Sequence, residues 1–340
     1  MTTPTIALDG STTAVPSILL ARVRRVALTV LRPLSVFIPV FLLGTFFTFL
    51  LGRVSGLSPA YVQLGEGASP EAITALEHSW GLDRPFLVQY LDWFGRLLQG
   101  DLGLSWYNNL DVAQSLGERA VVSLSAAGLA LVIGVVVGFV LGALAALFHA
   151  TWIDRVITGF TTAISVLPPF IVGILLVSIF AVTLRVLPAA GYIPIEFGVW
   201  PWLSHLILPA LALSFDTVAD VARQLRTGLV SAYRENYVTG AIVRGLSPRR
   251  IFFTHVLRNA IGPSVAVLGL KFPSLLGGAV VTEFIFGLPG YGVYASQSAL
   301  RGDVPAVQGV LVISIVLVVT FNLIVNIVLN RIMPASARGV

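Results

Sequence analysis

The stretch that decides the fold is AVVSLSAAGLALVIGVVVGFVLGALAALF, Ala120–Phe148, which holds no charged residue and no proline. A helix rises about 1.5 Å per residue and a bilayer core is about 30 Å thick, so about 20 such residues cross a membrane. This run is longer than that. Five further apolar runs lie on either side: Leu34–Leu51, Val156–Leu184, about Trp202–Ala222, about Ile261–Phe286 and Val304–Asn330. The fourth is interrupted only by His205, Asp216 and Asp220, and the fifth by Lys271 and Glu283. The expected fold class is therefore an all-α membrane protein with six transmembrane helices and both termini on the same side.

Composition agrees with the runs. The 340 residues are 56% hydrophobic and 11% charged, with a mean hydropathy of +0.91. A soluble domain carries about 25% charge. Such a chain can neither hide its apolar surface as a soluble globule nor stay disordered. It has no cysteine, so disulfides, thiolate metal sites and iron–sulfur clusters are excluded. The net charge of +5 comes from arginines scattered between apolar runs, which reads as membrane topology and not as a nucleic-acid surface. Lys271, the single lysine, sits between Leu270 and Phe272, so the chain has no P-loop and no ATP hydrolysis by that route. His78, His149, His205 and His255 show no ligand spacing, and no metal site is expected. No Ser/His/Asp constellation is arguable, so an intramembrane enzyme is not expected either.

Arginine placement sets sidedness. Fourteen arginines fall on the face holding the termini, the second-to-third connection and the fourth-to-fifth connection, against six on the other. By the positive-inside rule the first face is cytoplasmic. The organisation expected is a cytoplasmic segment (1–33), a first span (34–52), an extracytoplasmic segment (53–119), a core of five spans (120–332) containing a cytoplasmic loop (223–260), and a cytoplasmic tail (333–340). No cleaved signal peptide is read, so the first span would serve as a start-transfer helix. In the outer segment, Ser69-Pro70-Glu71 reads as a helix start. Phe86, Tyr90, Trp93, Phe94 and Leu97 recur at helical spacing, which predicts a short amphipathic helix packed on the bundle or lying along the membrane surface.

A chain that spans the membrane without an energy-binding site is passive, ion-driven or partner-driven, and the fourth-to-fifth loop decides among these. It predicts a helix over Val238–Arg244, ended by Gly245, and a second helix opened by Ser247-Pro248. An arginine-rich helix–glycine–helix elbow below the membrane suits docking on a soluble partner. Charged residues inside spans are the next candidates, because they are costly there. Asp216 and Asp220 share a helix face, and Lys271 falls at a similar depth, so an intramembrane ion pair or a wet pathway is expected. Glu283 lies near the outer end of the fifth span as a helix-end anchor for the following turn or an outer gate. Pro168-Pro169 and Pro209 predict local kinks. Asn322 and Asn326 predict hydrogen bonds between helices.

The run Asn236-Tyr237-Val238-Thr239-Gly240-Ala241-Ile242-Val243-Arg244-Gly245-Leu246-Ser247-Pro248-Arg249-Arg250 resembles the "EAA" loop of binding-protein-dependent ABC-importer permeases. His255–Ala260, Gly81-Leu82-Asp83-Arg84-Pro85, Gly100-Asp101-Leu102-Gly103 with Ser105, Phe286–Gly292 and Arg301-Gly302-Asp303 resemble the oligopeptide/dipeptide/nickel branch. The resemblance implies a permease half that pairs with a second permease chain, two ATPase subunits and an extracytoplasmic substrate-binding protein, and that moves di- or oligopeptides by alternating access in a bacterial inner membrane. It implies coupling to the ATPase through Tyr237, Ala241, Arg244, Gly245, Leu246, Ser247, Arg249 and Arg250, with ATP and Mg bound by the partners and no cofactor in this chain. Nickel or glutathione would be alternative cargoes. An ion-coupled carrier working alone and a membrane scaffold are the readings from other classes.

Overall fold

The computed structural model describes residues 37–56 and 58–332. The expected N-terminal segment and C-terminal tail, with their arginines, lie outside the described residues. By internal contacts the chain divides into Met1–Phe47 and Thr48–Val340. The described residues of the first unit are the opening turns of a helix, and every other described element belongs to the second.

Among the described residues the structure is helical, with one isolated antiparallel bridge between Leu104 and Asp111. Five helices are long and apolar enough to cross a membrane: α1 (Phe37–Val54), α5 (Val112–Leu147), α8 (Val199–Tyr233), the continuous run Pro248–Ile285, and α13 (Val304–Ile332). The segment expected to be extracytoplasmic forms α2 (Pro59–Leu64), α3 (Pro70–Ser79) and α4 (Phe86–Leu98). Ser69 caps α3 as expected, its hydroxyl accepting from the Ala72 amide at 3.2 Å. The expected amphipathic helix is α4, and it buries Tyr90 and Trp93 against Phe49.

The third expected span is the one that departs in shape. It is α6 (Trp152–Val166) followed by α7 (Pro169–Leu176) and a π-wound turn (Val177–Thr183), bent by 100° at the break. The expected local kink at Pro168-Pro169 is instead a right-angled break. Two successive prolines remove two amide donors and push the preceding residue out of the helical region, and Leu167 is extended at ψ 120°. Pro209 has the milder effect: α8 runs through it without interruption.

The centre of the molecule is the pairing of α5 with α8. Gly134, Gly138 and Gly142 recur every fourth residue on α5, and a Cβ on Gly142 would lie 2.6 Å from the Ala222 carbonyl oxygen. Small residues at this spacing let two helix backbones touch, which is how helices gain packing energy where lipid offers no hydrophobic drive. Both helices outrun the apolar stretches read from the sequence. α5 starts at Val112, capped by Asp111, whose carboxyl accepts from the Gln114 amide at 2.8 Å. α8 continues past Ala222 to Tyr233, so the first eleven residues of the expected loop are helix. Asn322 donates to Val318 of its own helix at 3.0 Å and not across to a neighbour.

Candidate functional site

The elbow expected in the fourth-to-fifth loop begins where α8 ends. Helix α9 (Asn236–Val243) is followed by α10 (Pro248–Arg250), a π-wound turn (Ile251–Val256) and α11 (Leu257–Ile285). Gly245 ends α9 at φ +74°. Its amide donates to Ile242 at 2.9 Å and the Leu246 amide donates to Ala241 at 3.2 Å. These two bonds make a Schellman cap, in which only glycine takes the left-handed position without strain. Ser247 stands at the N-cap position with extended backbone, but its hydroxyl makes no capping bond.

One face of the elbow is fastened to the bundle. Val238 and Ala241 are buried with Leu225, Leu229 and Ala232 of α8, Ala146 of α5, and Ile251, Val256 and Ala260. Leu246 and Phe252 pack against the same cluster. Where α8 crosses α11, a Cβ on Gly228 would meet the Ala260 carbonyl oxygen at 2.6 Å. The other face is bare. Ile242 is 61% and Val243 82% exposed, and Tyr237, Arg244, Gly245, Ser247, Arg249 and Arg250 are exposed beside them. The expected coupling residues therefore divide: Ala241 is wholly buried and Leu246 half-buried, so these two hold the elbow, whereas the others present it. Sequence reasoning misses Ile242 and Val243. Their signal is two adjacent β-branched residues beside an arginine in a segment that reads as cytoplasmic.

Inside the spans, Lys271 of α11 meets both aspartates of α8. Its Nζ donates to Asp216 Oδ2 at 2.6 Å and also contacts Asp220, which in turn pairs with Arg223. The lysine side chain is 14% exposed and that of Asp216 45%. The pair thus sits at the rim of the helix contact, with one carboxyl open on the chain's surface.

Glu283 is 1% exposed near the C-terminal end of α11. Ser123 donates to it at 2.5 Å, and the Val293 amide at 2.9 Å. Ser123 also accepts from the Tyr291 amide at 2.9 Å, which fixes the start of α12 (Tyr291–Leu300). A Cβ on Gly290 would fall on the Glu283 carboxyl. The side chain therefore ties α5, α11 and the turn between α11 and α12 together, and presents nothing to the outside of this chain.

Two further carboxyls escape sequence reasoning. Asp154, 3% exposed, receives Arg226 Nε at 2.6 Å and Nη2 at 2.7 Å. Asp303, 2% exposed, accepts from Ser105 at 2.5 Å and from the Trp106 amide at 3.1 Å, joining the segment between α4 and α5 to the start of α13. Asp303 and Ser105 both lie in motifs that carry the family resemblance, and only the fold shows that they meet. The segment between α1 and α5 also carries an open groove of about 870 Å³ lined by Trp80, Arg84, Arg96 and Trp106, with the two indoles stacked at 5.4 Å. Among the described residues no three His, Asp or Glu side chains converge on a metal position.

Comparison with known proteins places this geometry. Residues 138–337 match the family "Binding-protein-dependent transport system inner membrane component", and residues 26–127 match its N-terminal companion, "Binding-prot-dependent transport system membrane comp, N-term". The probable peptide ABC transporter permease protein y4tP of Sinorhizobium fredii is 34% identical over 305 residues, covering 90% of this chain and 97% of that protein. The di/tripeptide transport system permease protein DppB of Pseudomonas aeruginosa is 33% identical over 87% of this chain and 94% of its own length. The dipeptide transport system permease protein DppB of Escherichia coli K12 is 29% identical over 90% and 97% respectively. Among solved structures, a chain of the MetNI methionine ABC transporter in an inward-facing conformation superposes with a TM-score of 0.53 at 15% identity, over 65% of this chain and 98% of that one. That likeness is one of fold. The chain belongs to the family of binding-protein-dependent transport system inner membrane components, and is a multi-pass permease subunit of that kind.

Proposed function

We propose that this chain is one of two permease halves in an ATP-driven importer of di- or oligopeptides. It works with a second, similar permease, two ATPase subunits and an extracytoplasmic binding protein, and keeps both termini in the cytoplasm. The observation that carries the reading is the division of the elbow into a fastened face and a bare one. A short helix held by a buried apolar cluster moves as a rigid body with the helices beneath it. Its exposed Ile242 and Val243, with exposed Arg244, Arg249 and Arg250 on the same elbow, offer apolar and charged side chains together, the composition of a docking patch. ATP and Mg belong to the partner, whose closure pulls the elbow and switches the bundle between inward and outward access. The peptide cargo is supported by the peptide transporters among its relatives.

Asp216 and Lys271 admit two roles, a structural pair and a lining of the translocation route. The half-exposed Asp216 carboxyl favours the second, because a pair serving structure alone gains nothing from a carboxyl open to the surface.

The test is reconstitution. Liposomes holding the complete complex are expected to take up a radiolabelled dipeptide only with ATP inside and the binding protein outside. Uptake by this chain alone under an ion gradient would replace the reading with that of an ion-coupled carrier.

A further inference from the structure

The α5–α6 corner holds a joint that docking at the elbow leaves unused. Ala150 turns the chain at φ +65°, a left-handed position that is strained for a residue with a side chain. The turn is held by Asp154, in the first turn of α6, whose Oδ2 accepts from the Ala150 amide at 3.0 Å. The same carboxyl takes the two-pronged bond from Arg226 of α8, and His149 Nδ1 lies 3.3 Å from its Oδ2. A bidentate arginine–carboxylate pair fixes both distance and orientation. At 3% exposure, neither oxygen of Asp154 can be re-solvated cheaply if Arg226 leaves.

Arg226 stands between Leu225 and Leu229, which are fully buried beneath α9. Whatever displaces the elbow therefore displaces Arg226. α6 touches α8 again where Ile164 packs on Val218 and Ala219. Between the two contacts lies a cavity of about 40 Å³ lined by Thr158, Thr161, Thr162, Gly142 and Arg223. The two helices are thus pinned at two places and hollow between. Beyond the second pin α6 ends in the 100° break, and α7 lies against the buried ring of Phe286, which would stand 3.2 Å from a Cβ on Gly173.

We infer that Asp154–Arg226 is the joint that makes α6 follow α8 when the elbow moves, so that the broken span is driven from the cytoplasmic side. The two residues position a moving helix and touch no cargo. The inference rests on the elbow being the element that docks the ATPase.

Because this chain has no cysteine, the complete complex, with any cysteines of its partner subunits replaced, can be spin-labelled at Trp152→Cys on α6 and Arg234→Cys at the end of α8. With Asp154 and Arg226 intact, this distance is expected to be the same without nucleotide and in the ATP-trapped complex. A distance that changes on trapping overturns the joint, and needs no further variant to fold. In the Asp154→Asn complex the distance is expected to split into two populations, and dipeptide uptake per ATP hydrolysed to fall about tenfold, a coupling loss of the size seen at packed contacts. Restricted to complexes that retain their ATPase subunits, uptake and hydrolysis falling in parallel, or unchanged uptake per ATP, would overturn it. Failure of the docking role would look different: the wild-type complex would then lack ATPase subunits or ATP-dependent uptake.

Discussion

Two helix–turn–helix corners of this molecule are built alike and finished differently. At the Gly287 corner α11 ends, the glycine turns the chain at φ +57°, and α12 begins; at the Gly245 corner α9 ends and the glycine turns it at φ +74°. The Gly287 corner turns its chemistry inward. Glu283, Ser123, Phe286 and Leu288 are all buried, and the Phe286 carbonyl accepts from the Gly191 amide at 2.8 Å. The Gly245 corner buries Val238 and Ala241 for anchorage, and leaves Ile242 and Val243 uncovered. A corner that satisfies its own groups serves stability. One that keeps apolar side chains bare fits the docking role proposed above.

The contrast can be broken by mutation, and the largest effect belongs to the Gly287 corner. Glu283→Ala leaves the Ser123 hydroxyl and the Val293 amide without their acceptor in a buried site. At about 1–3 kcal/mol for each orphaned group, a stability loss of about 3 kcal/mol is expected in denaturation of the detergent-solubilised complex. Glu283→Gln keeps an acceptor and should lose clearly less. Ala241→Leu comes next. It overfills the cluster under the elbow and should cost about 1–3 kcal/mol by the same measurement. Were it silent, the elbow would not be fastened to the bundle. Asp216→Asn leaves Lys271 paired with Asp220, so a stability change of about 1 kcal/mol or less is expected. Full uptake in both Asp216→Asn and Lys271→Met would assign the pair a structural role. Smallest in stability is the double change Ile242→Asp with Val243→Asp, within about 0.5 kcal/mol because both side chains are exposed.

The sequence carries the spans well, because about twenty uncharged apolar residues have one stable use in a chain of this composition. It also carries Gly245 and the meeting of Lys271 with Asp216 and Asp220, since turn chemistry and the cost of buried charge are both local arguments. Helix ends are harder. Glu118, Arg119, Arg223 and Arg226 read as loop because they are charged, yet α5 and α8 continue through them, since the backbone bonds of a helix persist in water wherever packing holds it. The glycines at 134, 138 and 142 are visible as a spacing, but which helix they admit depends on the fold. In the sequence Arg226 counts only toward sidedness, and Asp154 carries no signal of its own. They are 72 residues apart, and nothing in one sequence says which distant charges meet.

The most direct test of the account is whether the bare face of the elbow holds the ATPase. Membranes expressing the whole transporter with Ile242→Asp and Val243→Asp in this chain would be solubilised, and the ATPase subunits recovered with it measured against wild type. The account predicts that these subunits are lost while the chain keeps its wild-type thermal stability and its second permease. ATPase recovery at the wild-type level, with the double substitution in place, would contradict it.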